Sequence, residues 1–276
     1  VSDEDKTRIK ISNPLLQETS CLRNNIWQEH IRICNQNIKA GRESCWIFET
    51  GNIFVNSSTN NQIEILSGAI SGNNYDEKWE SSGKSSELNY YQARGKLRQV
   101  FSHLNVSVFD KPTDKYKHLH PGRTSLLIIE GKEAGYFGQI NPKYIAEKRS
   151  LKNLFLFSID IDKLLMAAIR TNKWTPIFKD YPIVPKIERD INFIFNKDYL
   201  VSDIIGNIKK SGKPILEEVK LIDIYNDDNL DDKFVSYTFR LSYRDKEKTL
   251  VENDVVEINE LIIKNIEKKF SAKQKI

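Results

Sequence analysis

Hydrophobic periodicity divides the chain into two stretches of different texture. In the first, "NPLLQETSCLRNNIWQEHIRICNQNIKAGRE" carries Leu22, Ile26, Ile33 and Ile38 near helical spacing, with Gly41 after the last basic turn, which predicts a helix and its stop. "SCWIFETGNIF" and "QIEILSGAISG" then alternate on either side of the polar "VNSSTNN", the pattern of two antiparallel strands. Helical period returns in "LNYYQARGKLRQVFSHLN" through Tyr90, Leu97, Val100, Phe101 and Leu104. In "HPGRTSLLIIEGKEAGYFGQINP", Pro121-Gly122 predicts a turn, two short strands meet across "EGKEAG", and Asn141-Pro142 opens a helix. "NLFLFSIDI" is a further strand. Hairpin-type connections among these elements predict a mainly antiparallel sheet.

A proline-punctuated connector, "FKDYPIVPKIERD", marks the best boundary in the chain, so we divide it into residues 1–179 and 180–274. Beyond it "RDINFIF" sends Ile191, Phe193 and Phe195 to one side of a strand. "LVSDIIGNIKKSG" is a helix with Val201, Ile204, Ile205 and Ile208 at i, i+3, i+4, i+7, ending at Gly212. "PILEEVKLIDIYN" and "KFVSYTFRLSYRD" are strands around the polar "DDNLDD", and "TLVENDVVEINELIIKNIEKKF" is a helix with a capping box from Thr249 to Glu252. With a final strand in the tail the order is βαββαβ, a ferredoxin-like unit. The fold class is therefore α+β.

Composition narrows the function. At 39% hydrophobic and 29% charged residues, with no run of about 18 apolar residues, the 276-residue chain reads as globular rather than fibrous, disordered or membrane-spanning. "VSDEDKTRIK" lacks an apolar signal core and begins without Met, so we expect an excerpt of something longer. Cys21, Cys34 and Cys45 have neither zinc nor disulfide spacing, which suits a reducing compartment. The bias toward 34 Ile, 30 Lys and 24 Asn over 8 Ala suggests AT-rich codons, hence a cytoplasmic or plastid setting in an organism or organelle with such a genome. Net charge is +4, but residues 181–276 hold 17 Lys and Arg against 18 Asp and Glu. Nucleic acid bound there must be held by placed contacts, not a diffuse field.

One strand carries the candidate chemistry. In "FVSYTFRLSYR" alternation sends Val235, Tyr237, Phe239, Leu241 and Tyr243 under the helices, leaving Phe234, Arg240 and Arg244 on the open face. An aromatic beside two arginines suits a single-stranded RNA platform, and an ordinary solvated sheet face fits the same pattern. Lys220 on the neighbouring strand and Arg189 at the edge complete the RNA-binding candidates. For "HPGR", His118 or His120 could serve as ligand or base, yet no Cys, Asp or Glu stands nearby with metal spacing and no nucleophile pairs with either. We read it as a structural corner and assign no catalytic residue and no metal ligand. Trp27, Trp46, Trp79 and Trp174 read as core or interface anchors.

"YPIVPKIERDINFIF", "VKLIDIY" and "SYTFRLSYRDKEKTL" resemble the ferredoxin-like anticodon-binding domain of phenylalanine–tRNA ligase β subunits. "NPLLQETSCLRNNIWQEHI", "IFETGNIF", "SGAISGN" and "YYQARGKL", followed by the "HPGR" segment, resemble the same subunit's catalytic-like module, in the same order. The sequence departs from the family at Lys233, where a Gly is usual, and at Val251, where a Thr is usual. The resemblance implies a class II synthetase-like module that performs no aminoacylation, with proofreading and magnesium-binding segments upstream. Accordingly "G-x-G-x-x-R" is absent, and Phe239-Arg240 is followed by Leu241-Ser242 rather than by an acidic motif. It also implies an α subunit as partner, phenylalanine tRNA as the RNA bound, an (αβ)2 assembly, and ATP and magnesium used by the whole enzyme but not held by this chain. Leu22, Ile26, Trp27 and Ile33 are the candidates for the partner interface. A stand-alone RNA-binding scaffold and a single-chain organellar ligase are the alternatives.

Overall fold

The computed structural model describes residues 8–16, 20–55, 62–73, 87–145, 153–170, 178, 183–226, 231–245 and 248–275. Trp79, Trp174 and most of "DDNLDD" lie outside them. The chain forms two compact units, Val1–Pro176 and Ile177–Ile276.

In the first unit, helix α1 (Trp27–Lys39) is followed by strands β1 (Cys45–Phe54) and β2 (Gln62–Ser71) and helix α2 (Tyr90–His103). Strands β3 (Val108–Pro112), β4 (Leu119–Ile129), β5 (Lys132–Ile140) and β6 (Leu154–Asp160) come next, with helix α3 (Ile161–Ala168) last. The strands make one antiparallel sheet in the order β1-β2-β6-β5-β4-β3. Both faces are covered. Phe155, Phe157 and Ile159 of β6 pack with Leu97 and Phe101 of α2 and Leu164 of α3. Leu154 and Leu156 of the same strand pack with Trp27, Ile31 and Cys34 of α1. A strand buried on both sides loses its polar alternation, which is why "LFLFSID" is an apolar run. Gly68 of β2 is required by this packing, because a Cβ there would come within 2.5 Å of the Phe157 ring and the Ile47 carbonyl.

Several expectations for this unit need correction. Helix α1 begins at Trp27, so Leu22 and Ile26 precede it, and the buried stripe runs through Trp27, His30, Ile31 and Cys34. Val100 points outward from α2. Pro121-Gly122 makes no turn: β4 passes through it at a register shift between Leu119 and Thr124, the kind of irregularity that accepts a proline. The hairpin turn is Glu130-Gly131, both at positive φ, with Ile129 facing Lys132. Asn141 does start a helical turn, a 3-10 turn at Pro142–Tyr144, by accepting from the Lys143 N–H at 3.2 Å.

The second unit follows the βαββαβ expectation element by element: β7 (Ile187–Asn196), α4 (Val201–Ser211), β8 (Leu216–Tyr225), β9 (Phe234–Tyr243), α5 (Glu252–Phe270) and a two-residue β10 (Lys273–Gln274). Sheet order is β10-β7-β9-β8. Ile191, Phe193, Phe195, Phe239 and Leu241 pack under Ile204, Ile208, Ile262 and Ile266, so both helices lie on one side. Helix α5 starts two residues later than the Thr249–Glu252 box: its N-cap is Val251, whose N–H donates to Asp254 Oδ2 at 3.3 Å. Valine has no acceptor to return, so only half of the reciprocal cap forms.

Candidate nucleic-acid interface

Two sites compete for a role, and the histidine corner is the weaker. His120 Nδ1 accepts from the Gly122 N–H at 3.1 Å, which fixes the local backbone. Arg123 donates to Gln139 Oε1 at 2.8 Å. His118 is 4% exposed, stacked on Trp27 with centroids 4.5 Å apart, and burial pushes its pKa down to about 4. Among the described residues no group of three His, Cys, Asp or Glu side chains gathers to hold a metal ion.

The open face of the second sheet is assembled by register. Because the apolar residues of β7 and β9 are drawn beneath α4 and α5, their alternates face away from the helices. Opposite pairs are Glu188 with Ser242, Asp190 with Arg240, Asn192 with Thr238, and Asn196 with Phe234. The first three are joined side chain to side chain. Arg240 Nε and Nη2 donate to the two carboxylate oxygens of Asp190 at 2.9 and 2.8 Å. Asn192 donates to Thr238 at 3.0 Å and accepts from Ser236 at 2.7 Å. Ser242 donates to Glu188 Oε1 at 3.1 Å, and Lys186 pairs with that same oxygen. The Arg240 hydrogen bond holds Asp190 below the usual carboxylate pKa, and Asp190 in turn raises that of Arg240. Lys186 and Ser242 hold Glu188 down likewise.

The structure brings three of the five candidates onto this face and places two elsewhere. Arg240 and Lys220 are opposite neighbours, with Lys220 Nζ 2.9 Å from Glu218. Phe234, 39% exposed, opens β9 at the far end. Arg189 shares the side of Ile191 and Phe193, and its guanidinium pairs with Glu252 at the start of α5. Arg244 lies one residue past β9, largely sheltered, with Nε 3.3 Å from Glu217 Oε2.

Sequence reasoning missed Tyr225 and Lys275. Counting from Lys220 puts Tyr225 under the helices, but a register shift at Ile222 inserts one residue, so Leu221 faces Phe239 and Asp223 faces Thr238. Tyr225 therefore comes opposite Ser236 on the open face, 52% exposed, with Lys275 Nζ 5.3 Å from its ring centroid. The face thus has two ends: an ion-paired end built on Glu188, Asp190, Arg240 and Lys220, and an aromatic end built on Phe234, Tyr225 and Lys275.

Residues 182–275, the whole of this unit's sheet, match the model of a ferredoxin-fold anticodon binding domain. Residues 1–161 match the phenylalanyl tRNA synthetase beta chain CLM domain. The chain belongs to the phenylalanyl-tRNA synthetase beta chain family. A phenylalanine–tRNA ligase beta subunit of Prochlorococcus marinus (strain MIT 9312) is 60% identical over 99% of this chain and 34% of its own length. That of Synechococcus sp. (strain CC9902) is 41% identical over 98% of this chain and 34% of its length. The chain thus spans about a third of the curated relatives it matches. Among solved structures, pyrrolysyl-tRNA synthetase from Desulfitobacterium hafniense aligns with a TM-score of 0.41 at 14% identity, over 59% of this chain and 53% of that one. Membership of the family accounts for the α+β architecture of both units. Among the described residues, no helix is long and apolar enough to cross a membrane.

Proposed function

We propose that this chain is the part of a phenylalanine–tRNA ligase β subunit that joins a non-catalytic module to an anticodon-binding domain, with its own boundary at residues 179/180. The open sheet face of the second unit receives the anticodon arm of phenylalanine tRNA, so that the α subunit can charge it. The observation that carries this reading is the one-sidedness of that sheet: helices take one face, and the other presents aromatic and cationic side chains at strand spacing. Bases stack at the Phe234 and Tyr225 end, where Lys275 adds positive charge. Phosphates approach Arg240 and Lys220, exchanging with the carboxylates that now hold them. Arg189 and Arg244, engaged with Glu252 and Glu217, act through the sheet's geometry more than by direct contact.

The first unit contributes assembly in this reading. Ile26 and Trp27 are 1% and 6% exposed, so they shape the α1 side of the core, while Leu22 and Ile33 keep surface for the α subunit. Exposed Phe48 on the edge strand β1 adds apolar area of the kind that marks interfaces. The whole enzyme is an (αβ)2 assembly in which ATP and magnesium serve the α subunit, working in the cytoplasm or a plastid stroma.

The test is a titration of the chain with the phenylalanine tRNA anticodon stem-loop at two salt concentrations. Arg240→Ala with Lys220→Ala should weaken binding and lower the salt slope by roughly 0.7 per lost phosphate contact. Equal affinities and slopes for wild type and variant would move the RNA site off this face.

A further inference from the structure

Two of the three cysteines meet in the core of the first unit. Cys34 lies on the buried stripe of α1, and Cys45 is the first residue of β1. Strand alternation turns Trp46 to the α2 side and keeps Cys45 and Ile47 on the α1 side. Both cysteines belong to the apolar cluster that α1 forms on the sheet with Ala69 and Leu156. Their side chains hydrogen-bond to each other, thiol to thiol. Spacing along the chain did not single out this pair, because the turn between them makes the approach.

That turn is closely fixed. Helix α1 ends in two crossed hydrogen bonds: the Gly41 N–H donates to Ile38 O at 3.0 Å and the Arg42 N–H to Asn37 O at 3.1 Å, with Gly41 at φ +87°. A left-handed glycine stop of this kind turns the chain back along the helix it leaves. Ser44 then anchors the start of β1, its Oγ accepting from the Asn73 N–H at 2.8 Å just past the end of β2. The first side chain of β1 is thereby delivered under the second half of α1.

Two thiols in contact inside a fixed framework are one two-electron oxidation away from a bond. A disulfide needs its sulfurs about 2.05 Å apart, and a hydrogen-bonded pair starts from contact distance. The two members differ in access. Cys34 is 0% exposed, and burial, followed by the hydrogen bond to Cys45, pushes its thiol pKa up, so it stays protonated. Cys45 is 6% exposed, at the start of a strand on the edge of the sheet, so an oxidant meets it first.

We propose that Cys34 and Cys45 are a redox-sensitive pair, closed to a disulfide by a peroxide and reopened by a dithiol. In the first step the Cys45 sulfur attacks one peroxide oxygen and the O–O bond breaks. The other oxygen leaves as water with the thiol proton, and Cys45 becomes a sulfenic acid. In the second step the Cys34 sulfur attacks that of Cys45, the S–O bond breaks, and the hydroxyl leaves as a second water with the Cys34 proton. One peroxide is thus reduced to two waters while two thiols become one disulfide. Burial slows the first step, so the pair answers sustained oxidant and otherwise remains as thiols. The closed form ties α1 to the edge strand of the sheet. The inference is independent of the anticodon reading, since both cysteines belong to the first unit.

A thiol count on the 276-residue chain tests it. The chain is treated with hydrogen peroxide, denatured in N-ethylmaleimide and weighed. The reduced chain carries three cysteines and takes a label on each. The oxidised chain should take a label on Cys21 alone, and its unreduced digest should contain a Cys34–Cys45 link that dithiothreitol removes. Cys21→Ser should form the same link, and Cys45→Ala should form none. Cys34→Ser should stop at a sulfenic acid on Cys45, which dimedone traps. Because the fold holds the sulfurs together, opening the link in the native chain should need a glutathione buffer roughly tenfold or more reducing than in urea. Circular dichroism reports whether each variant is folded, and the wild-type digest needs no variant. The proposal is overturned by three labels on the peroxide-treated wild type, by a link that uses Cys21 or joins two chains, or by a link that opens as readily in the native chain as in urea.

Discussion

The two sheets of this chain are built from the same kinds of strand but are covered differently. In the first unit helices lie on both faces, so successive residues of β6, Leu154 to Phe157, are all buried. In the second unit only one face is covered, so β9 alternates between Phe239 or Leu241 beneath the helices and Thr238 or Arg240 outside. A sheet buried on both sides holds a scaffold together and keeps its chemistry in the core. A sheet left open on one side presents an ordered grid of side chains to a ligand.

The largest effect should come from cutting the two cores residue by residue. On β6, neighbours should both be costly, Phe155→Ala by about 3–5 kcal/mol and Leu156→Ala by about 2–5 kcal/mol. On β9, neighbours should diverge: Phe239→Ala by about 3–5 kcal/mol, but Thr238→Ala by about 1 kcal/mol, the loss of its hydrogen bond to Asn192. Urea denaturation followed in each unit would show it, and equal costs along β9 would remove the distinction drawn between the sheets.

Acid should separate the units next. His118 has its pKa lowered to about 4 by burial, so the unfolded chain takes up that proton first. Stability of the first unit is then complete above about pH 6.5 and falls as pH drops toward about 4, by up to about 3 kcal/mol. His30, buried against Ser67, shifts in the same direction. All four histidines precede residue 121, so the second unit should be unaffected between about pH 6.5 and 5. Below that range, Asp190 and Glu188, whose pKa values are depressed, lose their pairing as they protonate. Thermal melts of wild type and His118→Gln between pH 7 and 5 would check the assignment, and a parallel loss in both units over that range would refute it.

A smaller effect tests which end of the open face matters more. Phe234→Ala combined with Tyr225→Ala should weaken stem-loop binding by about 1–3 kcal/mol per base stacked while leaving the salt slope near its wild-type value. A changed slope with unchanged stacking would reverse the division into aromatic and ion-paired ends. The smallest effect concerns Val251. Val251→Thr gives the N-cap of α5 the acceptor it lacks and should stabilise the second unit by about 0.5–1 kcal/mol, read from its denaturation midpoint.

Legibility followed coverage. The second unit's elements could be read in order because one-sided burial writes alternation into strands and a 3.6 period into helices. In the first unit β3 and α3 escaped: "VFDKP" is a mostly exposed edge strand with Phe109 turned outward, and "IDKLLMAA" continues from the apolar run of β6 without a break. Leu22 and Ile26 happened to fall in phase with a helix that starts only at Trp27. At the candidate interface, Arg240, Lys220 and Phe234 were visible as types on a face, but their partners were not. Asp190 stands 50 residues from Arg240, and Glu252 stands 63 from Arg189, so pairing depends on register and helix placement that no local pattern records.

The irregularity at Ile222 carries a consequence for how such a domain can change over generations. Because that residue is the extra one in β8, losing its codon would shorten the strand while leaving Lys220, Asp223 and Tyr225 on the same side as before. Strand β9 keeps an unbroken ladder with β7, so a codon lost from its middle would exchange its inner and outer residues beyond the cut. In-frame deletions should therefore be tolerated by natural or laboratory selection at Ile222 and purged from the middle of β9.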